Sequence, residues 1–118
     1  MKRFVLSTLM LLASGLAAAG TLEVYKSPYC GCCEKWVAHM REHGFDVTVH
    51  DTDNLQAVKG RAGLQPGQGS CHTAFIDGYA IEGHVPASDV KRLLEEKPDA
   101  RGLTVPGIPS FSPFLVFF

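Results

Sequence analysis

Three of the four cysteines in this 118-residue chain, Cys30, Cys32 and Cys33, fall within four consecutive residues. The fourth, Cys71, precedes a histidine in Ser70-Cys71-His72-Thr73. Sulfurs crowded this closely cannot staple distant parts of a fold, so chemistry is the better reading of the cluster. The thiolate is the form that binds metals and attacks disulfides, and a helix amino terminus favours it. Several thiolates at one place are soft ligands, suited to Cu(I), Zn(II) or an iron–sulfur cluster rather than to hard cations. Zinc asks for four ligands around one centre, and Cys32 lies on a different side of the turn from Cys30 and Cys33. Cu(I) ions bridged by thiolates tolerate that crowding, so copper ranks first, zinc second and an iron–sulfur cluster third.

Two other readings of the same sulfurs compete with metal binding. Cys30 and Cys33 form a Cys-x-x-Cys pair that could act as a thiol–disulfide oxidoreductase, with Cys33 the more buried sulfur and Cys30 the more accessible. Alternatively the cysteines could staple a small interaction domain. Among the histidines, His72 and His84 are the metal-ligand candidates, and His50, at the end of a strand, could approach the site edge. His39 lies seven residues beyond Cys32, roughly 10 Å along a helix, and with His43 reads as a solvated helix residue. Trp36, Met40 and Phe45 sit at core spacing and read as packing. The mixed charges Lys91, Arg92, Glu95, Glu96 and Lys97 read as a solvent face. No Ser-His-Asp arrangement, phosphate loop or carboxylate pair stands out.

The elements that must position these groups follow from the hydrophobic pattern. Thr21 to Tyr25 alternates as a strand. Cys33, Trp36, Val37 and Met40 then fall at i, i+3, i+4 and i+7, the stripe of a helix that Gly44 ends. Phe45, Val47 and Val49 alternate as a second strand. Asp53 or Asn54 caps a second helix carrying Leu55, Val58 and Ala62 and ending at Gly63. Asp77-Gly78 joins two further strands in a hairpin with a primed turn. Pro86 starts a last helix with Val90, Leu93 and Leu94 on its face. The order β-α-β-α-β-β-α, with a Cys-x-x-Cys pair at the first helix, predicts an α/β, thioredoxin-like fold. The cluster then lies where the first strand gives way to the first helix.

Residues 1–19 read as a secretory signal: Lys2 and Arg3, an apolar run from Phe4 to Leu12, and small residues at Ala17 and Ala19. Its removal leaves one domain, residues 20–118, of mildly acidic charge and exported to an oxidising compartment. With 11 basic against 12 acidic side chains there is no basic excess of the kind nucleic-acid binders carry. The expected surroundings are therefore neither nucleic acid nor, after signal removal, membrane.

With these residues assembled, the chain resembles the CopG-type periplasmic copper-resistance proteins. The resemblance rests on Cys30-Gly31-Cys32-Cys33 with Trp36 and His39, on Ser70-Cys71-His72-Thr73, and on Gly78-Tyr79 leading to Glu82-Gly83-His84-Val85-Pro86. Gly102-Leu103 and Val105-Pro106-Gly107 complete it. It implies a thioredoxin-like fold and copper bound as a thiolate cluster. It also implies a place beside other periplasmic copper-handling proteins, and a copper redox role. In thioredoxin-like folds the loop that carries Cys71 here faces the Cys-x-x-Cys site and usually holds a cis-proline, which this chain lacks. The chain departs from the family at residues 108–118, an atypical apolar tail without the family's methionine, glycines and acidic residue. Phe114-Leu115-Val116-Phe117-Phe118 reads as an edge strand, a docked segment or an exposed run.

Overall fold

The computed structural model describes residues 20–105 and 116–118. The expected signal segment, and the tail up to Leu115, lie outside the described residues. Within them the chain is a mixed α/β fold. Strand β1 (Leu22–Lys26) leads to helix α1 (Gly31–Glu42), strand β2 (Val47–Asp51) and helix α2 (Leu55–Ala62). Strands β3 (His72–Ile76) and β4 (Tyr79–Glu82) precede helix α3 (Ala87–Glu96), which is followed by β5 (Gly102–Thr104) and β6 (Val116–Phe117). One sheet holds all six in the order β2-β1-β3-β4-β5-β6. The expected order ended at the third helix, so β5 is a correction, while β6 matches the edge-strand reading of the apolar tail. At three and two residues, both are too short to show an alternating pattern.

Local chemistry explains the joints. Gly44 takes φ +87° just past α1, the left-handed turn that a side chain resists. Asn54 Oδ1 accepts from Ala57 N at 3.4 Å and caps α2. Asp77 and Gly78 both have positive φ, as a primed hairpin turn requires. β1 runs parallel to β2 across α1 and antiparallel to β3, and β3 is antiparallel to β4. β4 pairs in parallel with β5, and β6 adds antiparallel at the edge, where Phe117 is half exposed.

Alternation along the strands gives the sheet two different faces. Leu22, Val24, Ala74, Ile76, Ile81 and Leu103 pack with Trp36, Val37 and Met40 of α1 and with Ala87, Val90 and Leu93 of α3. Burial of a side chain as large as Trp36 or Met40 stabilises by roughly 2–3 kcal/mol, so this face carries the hydrophobic core. On the opposite face lie Glu23, Tyr25, Thr73, Phe75 and Glu82. There α2 supplies Lys59, bonded to Thr73 and Glu82, and Arg61, whose guanidinium sits about 5 Å over the Tyr25 and Phe75 rings. Helices therefore cover both faces. The ends of β1, β3 and β4 beside the start of α1 are left to hold the cysteines.

Candidate metal centre

The site begins where β1 ends. Lys26 closes that strand on the core face and is buried, its ammonium 2.7 Å from carboxylate oxygens of both Asp51 and Glu34. The Asp51 carboxylate first, then that of Glu34, holds the Lys26 pKa above its ordinary value. The pairs tie the end of β2 and the first turn of α1 to the strand feeding the cluster. Cys30 is the amino-terminal cap of α1, in extended conformation (φ −86°, ψ 93°) and without a side-chain capping bond. Cys32 and Cys33 follow in the first turn. Cys33 is fully buried and disulfide-bonded to Cys30, with their Cα atoms 5.4 Å apart. Cys32 and Cys71 are free and partly buried.

Cys71 comes from the other side of the chain, on the loop entering β3. Its Sγ lies 3.9 Å from Cys32 Sγ, and Cys32 Sγ lies 3.4 Å from Cys30 Sγ. All four sulfurs lie within 4.8 Å of one another. A second group overlaps the first: Cys71 Sγ is 3.5 Å from His72 Nδ1 and 3.6 Å from His84 Nε2, again within 4.8 Å mutually. The six candidate ligands named from the sequence are thus brought together. His50 is not among them; it stacks on Tyr25 at 4.7 Å and faces Glu23.

The electrostatics suit neutral donors. His72 is buried, stacked against Trp36 at 4.4 Å and His84 at 5.2 Å, and its Nε2 makes no hydrogen bond. Burial above all, helped by His84 and Lys59, pushes its pKa down to about 3, against a Gly83 backbone bond that raises it. Burial lowers His84 in the same direction. Cys71 is raised, first by burial and then by Cys32, so it stays a thiol at neutral pH until something displaces the proton.

Three supports for this site escaped the sequence reading. Glu82, fully buried, takes a very short ion pair from Lys59 Nζ, a bond from Ser70 N at 2.8 Å and one from Thr73 Oγ1 at 2.5 Å. That carboxylate grips the residue before Cys71. Gly83 takes φ +77°, and a side-chain carbon there would meet Ser70 Oγ and Val105 O at 2.7 Å, so only glycine allows the two loops to close. Lastly, α1 reaches across to the loop carrying His84. Trp36 Nε1 donates to Val85 O at 2.8 Å, and His39 Nε2 accepts from Ala87 N at 3.1 Å. The expected solvated role of His39 is therefore corrected: it is partly buried and satisfies an orphan donor at the start of α3. Helical spacing put it far from the cysteines but said nothing of what packs beside it. His43 is exposed, as expected, with its ring 4.4 Å from that of His39.

A family model described as a protein of unknown function, DUF411, matches residues 68–114. Two solved structures are similar over most of the chain. One, described as copper resistance protein CopG, Form 2, is 45% identical, covers 79% of this chain and 74% of that one, and has a TM-score of 0.73. The other, copper resistance protein CopG, Form 1, is 37% identical, covers 85% of both chains, and has the same TM-score. The chain belongs to the CopG family. No curated protein matches. In this CopG-family chain the aligned framework holds the Cys-x-Cys-Cys turn and the Ser-Cys-His-Thr loop against each other.

Proposed function

We propose that this protein is a periplasmic copper-binding protein that serves copper resistance or homeostasis, with Cu(I) held as a thiolate cluster by Cys30, Cys32, Cys33 and Cys71. His72 and His84 lend imidazole donors at its edge. The observation that carries the reading is the convergence of four sulfurs within 4.8 Å from the start of α1 and the loop before β3. Such a donor set is soft, and thiolates can bridge ions that need only two or three ligands each. The similar structures named for copper resistance support copper over zinc or an iron–sulfur cluster. We read the fold as thioredoxin-like, residues 1–19 as the export signal, and residues 20–118 as the single metal-binding domain, working beside other periplasmic copper-handling proteins. Copper is cargo in this reading, and a dithiol reductant must first give two electrons to the Cys30–Cys33 bond, leaving as a disulfide, before all four sulfurs can take part.

The test is metal content and free-thiol count on one reduced sample from copper-loaded cells. Bound copper that falls in Cys32→Ser and Cys71→Ser supports the reading; reduced thiols with no copper would sink it. One observation favours a second reading, thiol–disulfide exchange, because Cys30 and Cys33 are bonded at a helix amino terminus. There a substrate dithiol would give two electrons and two protons to that bond and leave as a disulfide. That activity would need Cys30 and survive Cys32→Ser and Cys71→Ser.

A further inference from the structure

The two donor groups share one atom, the sulfur of Cys71, but they do not share a dependence on the Cys30–Cys33 bond. With that disulfide formed, two of the four sulfurs are withdrawn from the thiolate cluster. The group of Cys71, His72 and His84 is untouched, and Cys32 beside it is still a free thiol. We propose that the disulfide form of the protein is itself a metal-binding state, taking one borderline divalent cation of the Zn(II) class through Cys71, His72 and His84, with water in the fourth position. The proposal rests on the reading of this cluster as a metal site, and it adds a second cargo class and a second redox state to it.

Geometry carries the argument. Around a tetrahedral zinc, bonds of about 2.3 Å to sulfur and about 2.0–2.1 Å to nitrogen set S···N edges near 3.5–3.6 Å and S···S edges near 3.8 Å. From Cys71 Sγ the observed separations are 3.5 Å to His72 Nδ1, 3.6 Å to His84 Nε2 and 3.9 Å to Cys32 Sγ. Both S···N edges that meet at Cys71 match a tetrahedral site, and the two imidazole nitrogens lie within 4.8 Å of each other.

The chemistry agrees with the spacing. His72 is fully enclosed, and its ring is fixed between Trp36 and His84. The mixed donor set is harder than four thiolates and suits zinc better than Cu(I). Binding displaces the proton of Cys71 into solvent and leaves the Cys30–Cys33 bond intact, so no oxidant or reductant takes part.

The experiment uses full-length protein whose mass shows one disulfide, mapped to Cys30–Cys33, and two free thiols. It is titrated with Zn(II) by calorimetry and with Co(II) by absorption, where sulfur-to-cobalt charge transfer and strong tetrahedral bands report the donor set. One equivalent with those bands is expected, lost in Cys71→Ser and weakened tenfold or more in His84→Ala, a change at a partly exposed position. Absence of stoichiometric binding, or binding unchanged by Cys71→Ser and His84→Ala, would overturn the proposal. Cu(I) titration of the fully reduced protein is the parallel arm. Failure there with success here removes the copper reading alone, and the reverse removes this one alone.

Discussion

Cys71 and His72 are neighbours in sequence whose ionisation is set by the same enclosure, and each gives a measurable pH signature. For His72, the folded pKa of about 3 lies below the ordinary 6.5. Between those values the unfolded chain carries a proton that the folded chain refuses. Stability therefore falls as pH drops from 6.5 toward 3, by up to about 1.4 kcal/mol per pH unit, and this loss stops below pH 3 where both states are protonated. Urea midpoints of metal-free protein between pH 7 and pH 4 should show the decline, and His72→Phe should flatten it. Parallel declines in both proteins would clear this imidazole of the effect. For Cys71, burial and the neighbouring sulfur hold the thiol protonated. Its alkylation should be slow at neutral pH and speed up only above the ordinary thiol range, as read by mass spectrometry of the peptide that contains it.

At the scale of elements, the site is a junction of loops whose positions are enforced by polar groups behind them. The Glu82 carboxylate joins β4, α2 and the loop before β3 through Lys59, Ser70 and Thr73. A buried ion pair contributes little over an apolar pair of the same shape, but removal of one partner strands the other charge. Glu82→Ala should cost about 3–5 kcal/mol, because it leaves the Lys59 ammonium, the Ser70 N–H and the Thr73 hydroxyl without that acceptor. The double change Glu82→Leu with Lys59→Met should recover much of the loss. Chemical denaturation of the three proteins checks both statements. A recovered fold that nevertheless holds Cys71 loosely would separate the stability of this network from its alignment of the metal ligands. The Trp36 and His39 contacts to residues 85–87 do the corresponding work from α1, so that one helix both carries three cysteines and sets the loop of His84.

For the whole molecule, the location of the core decides what the disulfide is for. The hydrophobic cluster lies along the sheet beneath α1 and α3, whereas the bond between Cys30 and Cys33 spans three positions at the mouth of one helix. Closing so short a loop restricts the unfolded chain by no more than about 2 kcal/mol in the chain-entropy picture. Metal-free protein treated with a reductant should keep its helix and strand signal by circular dichroism, with a modestly lower Tm. Loss of the folded signal on reduction would instead favour a disulfide-stapled domain. A fold that persists in both redox states is what allows one set of loops to offer two donor sets.

Much of this was legible along the chain because helices and strands write their period into it. Met40 follows Cys33 on the buried stripe, Gly44 and Gly63 stop their helices, and Asp77-Gly78 turns the hairpin. Residue type fixed the chemistry as well: three cysteines in four positions and a Cys-His pair specify soft donors whatever surrounds them. Long-range geometry was not written there. That Cys71 Sγ lies 3.6 Å from His84 Nε2 and 3.9 Å from Cys32 Sγ, that His39 serves α3 rather than solvent, and that Glu82 is buried against Lys59 are products of strand order and loop packing. Those relations join residues far apart in the chain, and a local period carries no information about them. The sequence by itself determined which atoms could bind a metal, while only the tertiary structure decided which of them meet at one point and which survive the closing of a disulfide. The physical reason is that donor softness belongs to a side chain, and coordination geometry belongs to the space between side chains.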